Sequence, residues 1–301
     1  LHEVEEIADR VVVLRDGRNA GALARTEIGH EQMVRMMVGR DLKDFFKSGS
    51  GDAARSDQPD WFSVRDLRTA RYPQASVSFN VGRGEVLGIA GLVGAGRSEV
   101  ARALFGIDAT AAEMTMGGSK LRVSTPADAI RKGIYLVPED RRQCGLIVDF
   151  NIRENISLPG MARYSRAGMI STAKENAAAK EACQTINIKA PSPEMKTANL
   201  SGGNQQKVVL AKWLALAPKV LIFDEPTRGI DVGAKSEVYA LMRKLAGEGV
   251  SIIAISSEME EVLGISDRIA VMHEGSITGI LERAQFSEEA VMRLATGSSA
   301  N

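Results

Sequence analysis

Two cysteines in 301 residues, Cys144 and Cys183, are too few and too isolated for a disulfide framework, and neither has the CxxC spacing of a metal site. Free thiols fit a reducing compartment. Histidine is equally scarce: His2, His30 and His273 are scattered over polar stretches, which suits structural or solvent-facing roles rather than metal or acid–base work. Charge of neither sign is in excess, since 38 basic residues balance 38 acidic ones, so the chain carries no basic field for nucleic acid. No apolar run approaches the roughly 18 residues needed to span a bilayer, and any membrane association is expected to run through a partner. The N-terminus has no basic n-region, apolar core or small-residue cleavage site, so a signal peptide is not expected. What remains is an ordinary α/β composition, 44% hydrophobic and 25% charged, in a chain long enough to bury about three quarters of its unfolded surface.

Against that background three short segments carry chemistry. Val86-Leu87-Gly88-Ile89-Ala90 has the pattern of a buried strand, and Gly91-Leu92-Val93-Gly94-Ala95-Gly96-Arg97-Ser98 follows it before a helical run from Glu99 to Phe105. This fits G-x-x-x-x-G-K-[ST] at every fixed position but one, where Arg97 replaces Lys. Glycines there let successive N–H groups cradle phosphates at a helix start, and Ser98 offers a hydroxyl to Mg²⁺. Farther on, Leu200-Ser201-Gly202-Gly203-Asn204-Gln205 presents a small hydroxyl and two glycines that let backbone approach a triphosphate. Finally Leu221-Ile222-Phe223-Asp224-Glu225-Pro226 reads as an apolar strand ending in two carboxylates, Asp224 to hold Mg²⁺ and Glu225 to position or deprotonate an attacking water. Singly, each has a bland reading as a turn or helix cap. Their order and spacing favour a phosphate-handling site.

The combination GLVGAGRSE, VPEDRR, LSGGNQQKV and FDEPTRGIDVGAK resembles the second nucleotide-binding domain of the tandem ATPase subunits of monosaccharide ABC importers, the ribose, galactose and xylose group, from about Trp61 to Gly297. The resemblance implies an α/β P-loop ABC ATPase domain: a mixed-sheet core, an antiparallel β subdomain and a helical subdomain bearing the signature loop, here expected between Asp149 and Ala198. It implies ATP and Mg²⁺ as ligands. Gly91, Gly94, Ala95, Gly96, Arg97, Ser98, Glu99 and Glu139 then line one nucleotide site, with Ser98 and Asp224 on the metal and Glu225 and Ser257 in catalysis. Ser201, Gly202, Gly203, Asn204 and Gln205 form the signature, and Asp231 lies in the D-loop, through which one domain senses the other's nucleotide. Because such domains sandwich nucleotide between the phosphate loop of one and the signature of the other, Leu200 to Gln205 would serve ATP held by the first domain. Tyr72 is a candidate to stack on adenine, although its Arg-Tyr-Pro setting equally suits a plain turn.

Three departures point to a weakened site. Arg97 stands for the usual Lys, and a planar fork needs more room than a compact ammonium. Ser257 stands where the family carries a His that touches the γ-phosphate, and Glu139 replaces its Gln. The implied partners are integral membrane permease subunits, a periplasmic sugar-binding protein acting indirectly, and a first ABC domain or second ABC subunit; nucleic acid is not among them. The implied location is peripheral, on the cytoplasmic face of the inner membrane. The alternative is a soluble regulatory or translation-type ABC protein that binds ATP with little hydrolysis.

An internal repeat supports a tandem arrangement. Without gaps, Leu1 to Gly39 falls on Met259 to Gly297 at an offset of 258 residues, matching Glu3 with Glu261, Ile7 with Ile265, Arg10 with Arg268, Val13 with Val271, Gly21 with Gly279 and Arg25 with Arg283. The expectation is that residues 1–40 are the tail of a preceding, truncated ABC domain, that 41–60 are a linker around Ser48-Gly49-Ser50-Gly51, and that 61–301 are the second domain. Arg10 to Leu14 would then be a hairpin strand that lost its sheet.

Overall fold

Four strands are buried along their whole length, but for the half-buried Gly91 that ends the first: β5 (Val86–Gly91), β8 (Ile134–Val137), β11 (Val220–Asp224) and β12 (Ser251–Ile255). Such continuous apolar runs suit a parallel sheet covered on both faces. The computed structural model describes residues 2–15, 18–29, 32, 33, 36, 58–166 and 168–297. In it these strands join β13 (Arg268–His273) and β14 (Ser276–Glu282) in a six-stranded sheet of order β14-β13-β5-β12-β11-β8. All neighbours in it are parallel except the β13–β14 hairpin. The tight packing at β5 depends on Gly88, because a Cβ there would collide with the Ser266 hydroxyl and lie 2.9 Å from Val262 Cγ1. Gly88→Ala is therefore expected to lower stability by about 2 kcal/mol, measured by denaturant unfolding.

A second sheet is antiparallel, in the order β4 (Val77–Val81), β3 (Phe62–Leu67), β6 (Glu113–Met116), β7 (Ser119–Leu121). Its inner residues Phe62, Val64, Phe79 and Val81 merge with the apolar core of the parallel sheet. The third part is helical. It is more broken than its apolar pattern implied: Ile152–Ser157, Met161–Tyr164, a two-residue-strand hairpin from Ser165 to Ile170, and Thr172–Thr185. Glu175 is buried there, paired with Arg153 at 2.9 Å and accepting from the Ser157 hydroxyl at 2.6 Å. The helix Gly202–Leu214 ties this part to the sheet, since Trp213 stacks on Tyr135 at 5.1 Å and donates from Nε1 to the Leu136 carbonyl at 2.8 Å.

The sequence repeat is also a repeat in space. His2–Ile7, β1 (Arg10–Arg15), β2 (Arg18–Ala24) and the 3-10 turn Arg25–Glu27 reproduce Met259–Ile265, β13, β14 and the turn Arg283–Gln285. Arg10 faces Ala24 as Arg268 faces Glu282, and both hairpins shift register at the same step, Val13/Leu14 and Val271/Met272. Arg25 Nη1 donates to the carbonyls of Glu5 and Ala8 at 2.6 and 3.0 Å; Arg283 Nη1 does the same to Leu263 and Ser266 at 2.5 and 3.1 Å. What differs is the covering. Ile265 and Met272 are buried, whereas their counterparts Ile7 and Leu14 are 80% and 68% exposed. Among the described residues β1 pairs only with β2. The linker expected at 41–60 lies outside the described residues except for 58–60, as do His30 and the side chain of His2; His273 Nδ1 shares a 2.8 Å hydrogen bond with the Ala295 carbonyl.

Candidate nucleotide-binding site

Parallel register brings the C-terminal ends of β5, β12 and β11 side by side, with Ile255 opposite both Ile89 and Asp224. Ligands of open α/β sheets bind at such strand ends. The loop after β5 turns through Gly94 and Gly96, both at positive φ (87° and 99°), and opens the helix α2 (Arg97–Leu104), which begins two residues earlier than its apolar pattern indicates. Gly96 is its N-cap and no side chain caps it, unlike the helix Pro126–Lys132, where Thr125 accepts from Asp128 N. The first N–H groups of α2 are thus left for an anion.

Ser98 Oγ donates to Asp224 Oδ1 at 3.0 Å, so the two residues expected on Mg²⁺ are in contact. Both are hard oxygen ligands, and two protein ligands leave room for the waters and phosphate oxygens that Mg²⁺ keeps. Burial pushes the Asp224 carboxyl up to about 6, helped by neighbouring Glu225 and opposed by the Ser98 hydrogen bond and Arg97. A carboxylate so poorly solvated fits a cation site, because a bound cation supplies the missing counter-charge.

Glu225 lies just beyond β11 with φ of 48°, a left-handed conformation that costs a non-glycine residue about 1 kcal/mol. That twist turns its carboxylate across the sheet end. There Oε2 accepts from both the amide and the hydroxyl of Ser257, each at 3.0 Å. Oε1 lies 3.6 Å from Arg97 Nη2. Arg97 itself is 9% exposed, and its Nη1 donates to the Ser256 carbonyl at 2.6 Å. The guanidinium at the loop's cationic position therefore binds the Glu225 carboxylate and a neighbouring strand end. A lysine ammonium, with its donors on one nitrogen, could not span both as the fork does.

Tyr72 rests on the phosphate loop, its OH donating to the Gly94 carbonyl at 2.6 Å and its ring 3.3 Å from where a Cβ of Gly96 would stand. Arg71, which sequence reasoning passed over, covers the other side of Gly94 and pairs with Glu99 at 3.1 Å. Ala95 is buried, and its carbonyl accepts from Gly275 N at 2.9 Å. Glu139, after β8, forms an ion pair with Arg228.

The signature residues lie elsewhere. Ser201 is exposed and caps Gly202–Leu214, accepting from Asn204 N at 3.4 Å and Asn204 Nδ2 at 3.0 Å. Among the described residues no hydrogen bond joins 201–205 to 91–98. Gly202 has no space for a side chain, because a Cβ would meet Arg141 Nη2 at 2.7 Å and the Gly229 carbonyl at 3.2 Å. Gly203 is packed against Ala234 in the same way, at 2.7 Å. Gln205, expected among the nucleotide contacts, has no exposed surface: its amide donates to the Thr197 carbonyl and accepts from Arg142 Nε. Its side chain braces the loop from within. Asp231 likewise spends Oδ1 on capping its own helix, accepting from Ala234 N at 2.9 Å. Arg141 is a second residue that sequence reasoning left without a role. Its fork donates to the carbonyls of Arg228 and Gly229 at 2.9 and 3.2 Å, joining signature and D-loop, and the only hint was the run VPEDRR.

The comparisons agree with this geometry. A family model described as ABC transporter matches residues 75–228. The chain is 45% identical over 298 residues to the ribose import ATP-binding protein RbsA of Lactococcus lactis subsp. cremoris, covering 99% of this chain and 59% of that protein. It is 45% identical to a ribose import ATP-binding protein of Agrobacterium fabrum, covering 99% and 58%. The chain thus spans about three fifths of the length of these curated relatives. Among solved structures, the ADP conformation of an ATP-binding cassette of an ABC transporter superposes with a TM-score of 0.64 at 18% identity, covering 78% of this chain and 94% of that one. A dimeric cassette bound to ADP and Pi gives 0.62 at 21% identity, covering 75% and 100%. These likenesses show the cassette fold. No helix among the described residues is long and apolar enough to cross a membrane. With the family model matching half the sequence and its phosphate loop, paired carboxylates and capped glycine loop all in place, the chain belongs to the ABC transporter family.

Proposed function

We propose that this chain is an ATP-binding cassette of a monosaccharide importer of the ribose type, working as the second cassette of a tandem ATPase subunit on the cytoplasmic face of a membrane permease. The observation that carries the nucleotide half of this reading is the meeting of Ser98, Asp224, Glu225, Arg97 and Ser257 at adjoining strand ends. Gly94, Gly96 and the open start of α2 would hold the phosphates of ATP. Ser98 and Asp224 would hold Mg²⁺, which supplies charge neutralisation at the transferring phosphoryl group. Glu225 would orient the attacking water, while Ser257 fixes its carboxylate. The ribose class comes from the relatives' names, and sugar choice belongs to the permease and a periplasmic binding protein rather than to any residue here.

The repeat supports a tandem arrangement. Residues 1–40 would belong to another cassette, whose own phosphate-loop strand would cover Ile7 and Leu14 as β5 covers the equivalent edge at β13. Two sites then differ in strength. This chain gives a well-formed Ser201 signature to the partner's nucleotide, and its own site, with Arg97 drawn onto Glu225, turns over slowly.

Mg-ATP binding and turnover of the chain, with Glu225→Gln as control, test the proposal. Binding with little or no turnover is expected. Absence of binding would overturn the nucleotide reading, and brisk Glu225-dependent turnover would overturn the weak-site reading. In an assembly containing both cassettes, Ser201→Arg is expected to abolish hydrolysis and Glu225→Gln to spare most of it; the reverse pattern means that the strong and weak sites are exchanged.

A further inference from the structure

Glu261 has no part in the chemistry above, yet it is the best-connected buried carboxylate at the strand ends. It stands on the helix Met259–Ile265, is 3% exposed, and is reached by four donors from three other segments. Thr227 Oγ1, two residues beyond Glu225, donates to Oε1 at 2.5 Å. The Tyr239 hydroxyl donates to the same oxygen, and Lys235 Nζ reaches it at 3.1 Å. Ser256 Oγ donates to Oε2 at 2.7 Å while accepting from Glu258 N at 3.0 Å.

These contacts matter because of what Ser256 and Thr227 carry. The Ser256 carbonyl is the acceptor for Arg97, and the next residue, Ser257, holds Glu225 by two hydrogen bonds. Thr227 follows Glu225-Pro226 and leads into Arg228 and Gly229, whose carbonyls are gripped by Arg141 beside the signature. We propose that Glu261 is a positioning residue that sets the spacing between the ends of β11 and β12, holding Ser257 against Glu225 and fixing the start of the D-loop. Resting on the nucleotide reading above, this assigns to one buried carboxylate the link between the water-orienting residue and the segment that touches the signature. Both Oε atoms are needed: one faces the β11 end and the other the β12 end, so a group with a single acceptor cannot serve both. Glu3 occupies the equivalent position in the repeat, where it is exposed.

The test uses the full chain and three variants. Glu261→Gln keeps size and loses one acceptor and the charge. Ser256→Ala removes only the hydroxyl that joins Glu261 to the β12 end. Tyr239→Phe removes a donor on the helix Val232–Gly247 and leaves the direct Thr227 and Ser256 bonds to Glu261 in place. Hydrogen exchange without nucleotide is expected to speed up about tenfold for the Ser257 amide and the 226–230 segment in the first two variants, with β5 unchanged and with Tyr239→Phe near wild type. Where turnover is measured, Glu261→Gln and Ser256→Ala are expected to lower kcat about tenfold with KM and Mg-ATP affinity within about twofold, and to be non-additive together. Unchanged exchange at Ser257 in a folded Glu261→Gln or Ser256→Ala chain overturns the proposal. So does an equal effect of Tyr239→Phe, which marks a general loosening. Should Glu261→Gln fail to fold, Ser256→Ala carries the same expectation alone. The exchange result needs no turnover, so it stands apart from whether the wild-type chain binds Mg-ATP, the result that decides the nucleotide reading.

Discussion

Changing Arg97 to Lys is expected to raise Mg-ATP turnover by about 100-fold, the lower end of the effect of one well-placed electrostatic contact at a transition state. The argument starts from where the guanidinium is. Its two ends reach the Ser256 carbonyl at 2.6 Å and the Glu225 carboxylate at 3.6 Å, in a pocket where Arg97 and Glu225 are nearly enclosed. A cation so placed holds the Glu225 carboxylate and competes with the water that Glu225 would orient. To meet an incoming phosphate it must also give up a short hydrogen bond. Lysine keeps the charge, bears a single nitrogen and can swing to the phosphates without spanning both groups. Steady-state kinetics of Arg97→Lys against wild type, with Glu225→Gln in each background, measures this. If Arg97→Lys leaves kcat unchanged while nucleotide still binds, the Arg97–Glu225 contact does not limit the site.

The contrast with removing the charge altogether is informative. Asp224, Glu225 and Glu99 crowd one side of this site, and Arg97 is among the groups that hold the Asp224 carboxyl down against the push of burial. Without a cation at position 97, two poorly solvated carboxylates would face each other. The site thus balances its own charges, through Arg97 on Glu225 and Ser98 on Asp224.

This division also explains what the sequence disclosed. Gly91 to Ser98 and Leu221 to Glu225 were legible because their chemistry needs contiguous residues: a strand, a turn with positive φ, a helix start; or a buried strand ending in acids. The antiparallel subdomain and the helical stretch between Asp149 and Ala198 were expected from the family resemblance. The contacts that set the character of the site were not. Arg97 meets Ser256 across 159 residues and Ser98 meets Asp224 across 126, and only the strand order β5-β12-β11 brings them together. The burial of Gln205 was hidden for the converse reason, since a signature motif names residues without saying which of them face inward. Glu261 sat in plain view as one of two adjacent glutamates on an amphipathic helix. Its burial follows from Thr227, Tyr239 and Ser256, on elements that no local pattern connects.

Asp224→Asn is expected to stabilise the nucleotide-free chain at neutral pH and to remove its preference for Mg²⁺. Burial raises the Asp224 carboxyl from 3.8 to about 6 in the folded protein, so between those values the folded state holds a proton that the unfolded state has released. Stability from this group is therefore greatest below pH 4 and falls as pH rises through 6, by about 3 kcal/mol for a shift of this size. Asparagine carries no charge to desolvate and can still accept from Ser98. At pH 8 its melting temperature without nucleotide should exceed wild type by roughly 5 °C. At pH 4 the two should melt together. Mg²⁺ reverses the ranking, because its binding requires the ionised carboxylate that folding disfavours: wild-type affinity for Mg-ATP should climb as pH rises through 6 and level off above 7. In Asp224→Asn that climb should vanish, with affinity in Mg²⁺ lower by at least the ~10- to 100-fold that loss of a metal's outer partner costs. Thermal melts and nucleotide titrations at pH 4 to 8, with Mg²⁺ and with chelator, give both halves of the comparison. A variant that melts below wild type at pH 8, or keeps its Mg²⁺ dependence, would show that Asp224 is neither strained by burial nor the metal's ligand.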